Sequence, residues 1–363
     1  MLDFTSALYL GFQHPTRALR PWARLSAGAP AALAAPSGSA GIARSLAALQ
    51  GCGAATLAPS TLHVFWDLFP ILGGEGGVAI HVDAEAYPIA RWAAERSGCR
   101  GVPVLRFSHY DAEGLERAAR VAGRRGLRPL VVTDGVCPDC GRVAPLGAYL
   151  EVARRLGGRV VVDDTQGLGV LGAGPGPAAP YGRGGGGAPR WCDVAGPELL
   201  VAASLAKGFG VPLAVLAGAG EVIERFEARG ETRSHSSPPS VAALRAAERA
   251  LALNHLRGDR LRSRLARLVR HFRARLGDLG LSTRGGLFPV QTLEPARALD
   301  SVALHGSLLE RGVRTVLHRP GPAAGPRLSL LITARHHLAE IDAAVDALAD
   351  ATASPARRLG GTR

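Results

Sequence analysis

Short apolar runs alternate with amphipathic stretches through the middle of the chain. VAIHV (78–82), LVVT (130–133), RVVVDD (159–164), LLVAAS (199–204) and PLAVLAG (212–218) are aliphatic and too short to be helices. Residues 88–97, 111–123 and 145–156 place apolar side chains at helical spacing instead. Strands alternating with helices predict an α/β protein with a mostly parallel central sheet. Near-continuous apolar strands predict helices on both faces of that sheet. Ligands of such sheets bind where strands end and loops begin.

The proline pair of SPPS (237–240) interrupts the alternation. Long helices are expected over about 240–277, then LFPVQTL (287–293), a helix near 299–311, VRTVLH (313–318), RLSLLIT (327–333) and a closing helix at 337–349. The chain therefore divides into an N-terminal segment (1–35), a large domain (36–240), a small C-terminal α+β domain (241–353) and a tail (354–363) expected to be disordered. The Gly/Pro-rich stretch 174–189 reads as a loop inside the large domain.

A hydrophobic content of 47% with 20% charged residues fits a globular chain. No uninterrupted apolar run reaches the length of a membrane span, and MLDFTSALYLGFQHP lacks the layout of a secretory signal. The expected location is the cytoplasm. A net charge of +13 raises nucleic-acid binding. The arginines, however, are spread along the chain. Their densest cluster, 257–277, has helical periodicity and reads as a solvated helix face, so no nucleic-acid partner is expected. Five cysteines do not suggest a disulfide framework. Cys137 and Cys140 make one CxxC, half of a four-thiolate zinc site with no second half. A loop near an active site is the favoured reading, and no metal is expected.

The candidate chemistry begins with SLAKGFG (204–210). Lys207 is the only lysine, so 42 of the 43 basic residues are arginine. Coding bias explains arginine wherever plain charge is enough. An arginine cannot deprotonate to a nucleophilic amine, whereas a desolvated lysine can, and can form an imine with a carbonyl. The other informative positions also follow strands. Asp163 and Asp164 end RVVVDD, and Ser204 and Lys207 follow LLVAAS. Ser60 and Thr61 follow the apolar run AATLAP and precede a helix start. Each alone reads as a cap. Together, an imine-forming lysine, a carboxylate and hydroxyls at a helix N-terminus are what a pyridoxal phosphate (PLP) site needs.

Five blocks, in order, resemble the α-oxoamine synthases of the fold-type I PLP-dependent transferases. LDFTSALYLGFQHP is similar to L-F-S-S-N-D-Y-L-G-L-x-x-H-P, and VVTDGVCPDCGRVAPL to V-x-E-G-V-F-S-M-D-G-D-x-A-P-L. VVDDTQGLGVLG is similar to V-D-D-A-H-G-x-G-V-L-G, SLAKGFG to T-F-x-K-G-F-G, and SHSSPPS to S-T-S-x-P-P. The resemblance implies Lys207 as the PLP lysine, Asp163 as partner of the pyridine nitrogen and Asp134 as an acidic residue beside the cofactor. It implies Ser204 and the turn Ser60, Thr61 and Leu62 as phosphate contacts. His235 and Ser236 match a segment that reaches the phosphate of a neighbouring subunit, which implies a homodimer with shared sites. The activity implied is condensation of an amino-acid-derived carbanion with an acyl thioester, either a coenzyme A ester or an acyl carrier protein. A basic surface would attract either.

The departures bear on that activity. The family's His in D-D-A-H is Gln166, and its ring-stacking His is Tyr87. In the terminal R-x-R-x-x-x-x-A-x-H block, Arg327 remains while the second arginine, which grips the substrate carboxylate, is Ser329. The stretch that precedes LDFTS in the family is missing. Tyr87, Gln166 and Ser329 together lead to the expectation of a non-standard substrate. Aminotransfer is the alternative, and a catalytically silent protein of this fold a lesser one.

Overall fold

The computed structural model describes residues 1–74, 76–294, 300–319 and 325–353; the expected disordered tail lies outside them. The chain forms two compact units. The larger comprises Gly11–Cys137 and Val143–Arg260. The smaller comprises Met1–Leu10, Pro138–Arg142 and the chain from Leu261 onward.

The larger unit is built on a seven-stranded sheet. Across it lie Ala54–Ala58, Ala214–Gly218, Leu199–Ser204, Arg159–Asp163, Arg128–Asp134, Val78–Asp83 and Val104–Phe107. Only Ala214–Gly218 runs antiparallel to its neighbours. The sheet is mostly parallel, as expected. Val160, Val161 and Val162 are each fully buried, as are Leu200, Val201, Ala202 and Ala203. Successive strand residues point to opposite faces, so burial of consecutive positions means both faces are covered. One covered face packs Ile80, Val82, Leu130, Val132, Val161, Leu200 and Ala202 against Phe65, Leu68 and Phe69 of the helix Thr61–Gly73. This face carries the chemistry described below.

The smaller unit holds a four-stranded antiparallel sheet in the order Val316–His318, Arg327–Leu331, Val290–Leu293, Thr283–Arg284. Leu2–Asp3 pairs in parallel with Val313–Arg314, and the ring of Phe4 stacks on His336 with centroids 4.4 Å apart. No helix among the described residues is long and apolar enough to cross a membrane.

Three sequence expectations need correction. The boundary at 240/241 falls at the start of one unbroken helix, Val241–Asp278, and the units divide at 260/261 inside it. The prolines of SPPS end the preceding segment, but nothing stops a helix whose apolar face continues across the boundary. The segment 1–35 is not a body of its own, because residues 1–10 belong to the smaller unit and 11–35 to the larger. Val104–Phe107 was not expected as a strand. It is an edge strand of four residues with Leu105 and Arg106 exposed, so it lacks the apolar signature.

Candidate active site

Parallel strands end together, and their last residues gather the candidate side chains. Asp134 and Asp163 end adjacent strands and lie opposite each other in register. Asp163 in turn pairs with Ala202, two residues before Ser204. Asp134, Asp163 and Ser204 share the parity of Val132, Val161 and Ala202 and so face the same side of the sheet. The loop after Ser204 brings the Lys207 amine to 5.8 Å from the centroid of the Tyr87 ring. Tyr87 starts the helix Pro88–Gly98, and its backbone N–H donates to Asp134 Oδ1 at 3.1 Å.

Thr165, not singled out in the sequence, ties this cluster together. Its backbone N–H donates to Asp163 Oδ1 at 3.0 Å, and its hydroxyl also bonds that carboxylate. The Ser204 N–H donates to the same hydroxyl at 3.0 Å. Ser204 Oγ then accepts the Ala206 N–H at 3.2 Å, which fixes the turn into Lys207.

A second brace was likewise not apparent from the sequence. Asp83, at the end of its strand, accepts from the backbone of Glu85 and Tyr110 and bonds His109 Nδ1 at 2.9 Å. The Tyr110 hydroxyl donates to the Asp134 carbonyl at 3.1 Å, and Tyr110 holds a left-handed φ of 56°. The loop that leads to Tyr87 and the loop at His109 and Tyr110 are thus both anchored on the Asp83 carboxylate. The partners stand 26 residues apart, so only the strand-end position of Asp83 hinted at them.

Asp164 takes the other face. It is fully buried and accepts the Ala188 N–H at 3.0 Å. A Cβ at Gly187, whose φ is 92°, would overlap Asp164 Oδ2, so that tight loop requires glycine.

Burial dominates the electrostatics. It pushes the Asp134 carboxyl well above the usual range, with further help from the Asp163 charge. It pushes Asp163 up too, against the opposing Thr165 hydrogen bonds and the Lys207 charge. It pushes the Lys207 amine down, against the attraction of both aspartates. Two desolvated carboxyls thus share one cation that is itself disfavoured.

The remaining sequence candidates fall as follows. Ser60 precedes the helix Thr61–Gly73, and its hydroxyl pairs with His63 Nδ1 at 2.9 Å instead of capping the first turn. Ala58 and Ser204 both pair with Ala214. The N-terminus at Ser60, Thr61 and Leu62 therefore leaves the same end of the sheet as Ser204, about 10 Å away at two strand spacings. Gln166 is buried beside Thr165 in sequence. His235 is exposed at the end of a short helix, and Ser236 Oγ donates back to the Thr232 carbonyl at 2.6 Å. In the smaller unit, Ser329 is 1% exposed, and its hydroxyl bonds Thr292 Oγ1 at 2.8 Å and His318 Nε2 at 2.9 Å. Arg327 is ion-paired with Asp139.

A family model for aminotransferase class I and II matches residues 53–348. The chain belongs to this family. Among curated relatives, the 8-amino-7-oxononanoate synthases of Sodalis glossinidius and Pseudomonas aeruginosa are 34% and 35% identical over 250 and 255 residues. Those matches cover 68% and 69% of this chain but only 60% of each relative. Among solved structures, serine palmitoyltransferase of Sphingomonas wittichii superposes with a TM-score of 0.79 at 20% identity, covering 96% of this chain and 86% of that one. The 8-amino-7-oxononanoate synthase of Francisella tularensis gives 0.75 at 17% identity, covering 96% and 97%. These relatives are α-oxoamine synthases, the group the five sequence blocks resemble. The resemblance and the fold-type I architecture are both borne out.

The site fits the PLP of that family on the structure's own terms. A cationic ring nitrogen would balance the two desolvated carboxyls at Asp163 and Asp134. A half-buried lysine whose desolvated amine holds its proton less firmly suits carbonyl chemistry. An N-terminus that no side chain caps suits a phosphate.

Proposed function

We propose that this chain is a PLP-dependent acyltransferase of the α-oxoamine synthase type. It would join an amino-acid-derived carbanion to an acyl thioester, with coenzyme A or an acyl carrier protein leaving as the thiol. The observation that carries the reading is the sole lysine, half-buried at the carboxyl ends of parallel strands with its amine desolvated beside Asp163 and Asp134. Bound PLP supplies an electron sink for negative charge at the substrate Cα. Asp163 holds the proton on the ring nitrogen. Lys207, held towards its neutral form by desolvation, would take the Cα proton at Nζ and return a proton to that carbon after the substrate carboxylate has left as CO2. Tyr87, whose ring lies near the Lys207 amine, would stack on a face of the cofactor ring. Gln166 donates an amide hydrogen bond to the phenolic oxygen without changing charge. Ser204 and the amides from Ser60 to Leu62 hold the phosphate.

Three departures argue for an unusual amino donor. Tyr87 and Gln166 replace histidines of the family pattern, so neither supplies an imidazole for acid–base steps. At position 329, a guanidinium fork for a carboxylate gives way to a buried hydroxyl. The proposed assembly is a cytoplasmic homodimer in which His235 and Ser236 serve the neighbouring site.

The deciding experiment screens amino acids against purified protein, following the cofactor's visible absorbance with and without an acyl-coenzyme A. Product formation that requires the thioester supports the proposal. Keto-acid formation without any thioester would establish aminotransfer instead. Ordinary turnover of alanine, glycine or serine would refute the unusual donor.

A further inference from the structure

The Asp163 carboxylate and the lysine-bearing loop sit on different strands, and a single side chain joins them. The Thr165 hydroxyl has one proton and two lone pairs. It accepts the Ser204 N–H at 3.0 Å, and its own proton goes to Asp163. The Thr165 backbone N–H supplies a second bond to the same carboxylate. Asp163 therefore has a neutral donor pair aimed at it, in a place where, among the described residues, Lys207 is the positive charge that acts on it. The family block carries Ala at this place, and an alanine could keep the backbone bond but neither hydroxyl bond.

We propose that Thr165 is a positioning residue. Its hydroxyl ties the Asp163 carboxylate to the backbone of the Lys207 loop and, by donating to it, favours its charged form over its protonated one. The consequence for the site is specific. Ionised Asp163 keeps a ring nitrogen protonated, and this chain lacks the histidines that the family pattern places nearby, at positions 87 and 166. A hydroxyl that biases Asp163 towards its charged state supports the ring nitrogen through Asp163, without touching the ring itself. The inference rests on the PLP reading only in this last step, because the hydrogen bonds belong to the chain itself.

The test compares Thr165→Ser and Thr165→Val with the native chain, in both cofactor-free and PLP-loaded protein. In cofactor-free protein, the Asp163 titration is followed by carbon NMR of labelled aspartate, assigned by its loss in Asp163→Asn. Removing a hydrogen bond to a charged group should raise the Asp163 titration by about one pH unit in Thr165→Val. Thr165→Ser should titrate like the native chain. In loaded protein, the pH dependence of the cofactor's absorbance should move in Val and stay in Ser. Unchanged Asp163 titration in a folded Thr165→Val variant, with only a lowered melting temperature, would reduce Thr165 to a structural role. If Val does not fold, Thr165→Ser still decides, since a raised titration there overturns the proposal. Native protein that binds no PLP would sink the functional reading while leaving the cofactor-free comparison intact.

Discussion

Asp163 and Asp164 are neighbours in sequence, both buried, and both carry carboxyls pushed up by desolvation. Their surroundings nevertheless share almost nothing. Asp163 faces Lys207, Asp134 and Thr165. Asp164 faces a loop backbone, where it accepts the Ala188 N–H and fills space that Gly135, Gly167 and Gly187 leave open. Strand alternation alone separates them. The difference teaches that a carboxylate at a strand end is defined by the face it takes. On one face it sits beside the amine of the chain's only lysine. On the other it substitutes for secondary structure, holding a glycine-rich loop closed.

The strongest way to break the comparison is to remove the amine. Lys207→Ala should abolish the cofactor's bound absorbance and any borohydride-trapped adduct, and lower turnover to background. Full absorbance in that variant would mean the Asp163 face is not the chemical one.

The next largest effect tests the two carboxyls against each other. Asp163→Asn should keep the fold and cost activity by orders of magnitude, on the order of 100-fold or more for loss of a charge that acts on the reacting system. Asp164→Ala should do the reverse. It leaves the Ala188 N–H unpaired and opens a buried space, which should cost about 1–3 kcal/mol of stability in a denaturant melt. The cofactor's absorbance should be unchanged. An Asp164 variant that loses absorbance at full stability would overturn the assignment of faces.

Much of this was legible in the sequence because the residues follow strands. The apolar runs mark where strands stop, and SLAKGFG and VVDD announce their chemistry through rare or charged residues at those stops. Thr165 was missed because a threonine after two aspartates reads as an ordinary loop residue. Its importance comes from the Ser204 N–H, 39 residues onward. The unit boundary is hidden in the sequence because a proline pair marks a break at 237–240, while the helix that follows carries the chain through the division at 260/261. Ser329 was read as a vacated anchor. The sequence held no sign that its hydroxyl is enclosed by Thr292 and His318, so an arginine introduced there would have to displace a closed polar contact.

The smallest expected effect sharpens the comparison from the Asp164 face. His81 lies in register with Val131, which is in register with Val160, so it shares the face of Asp164. Its ring is fully buried, and among the described residues neither nitrogen has a hydrogen-bond partner. Desolvation pushes its pKa down to about 4. A histidine with a lowered folded pKa is neutral in the fold, while the unfolded chain takes up a proton below about 6.5. Stability should therefore fall as pH drops from about 6.5 to 4, by up to about 3 kcal/mol, and level off below that. His81→Leu removes both the unpaired nitrogens and this proton linkage. It should raise stability at neutral pH by about 1 kcal/mol and flatten the acid limb of the profile, with the cofactor's absorbance unmoved. Equilibrium denaturation at several pH values measures both. An acid limb as steep in His81→Leu as in the native chain would move the acid sensitivity to other groups. A His81→Leu protein that lost cofactor binding would show that the two faces of the sheet are not independent after all.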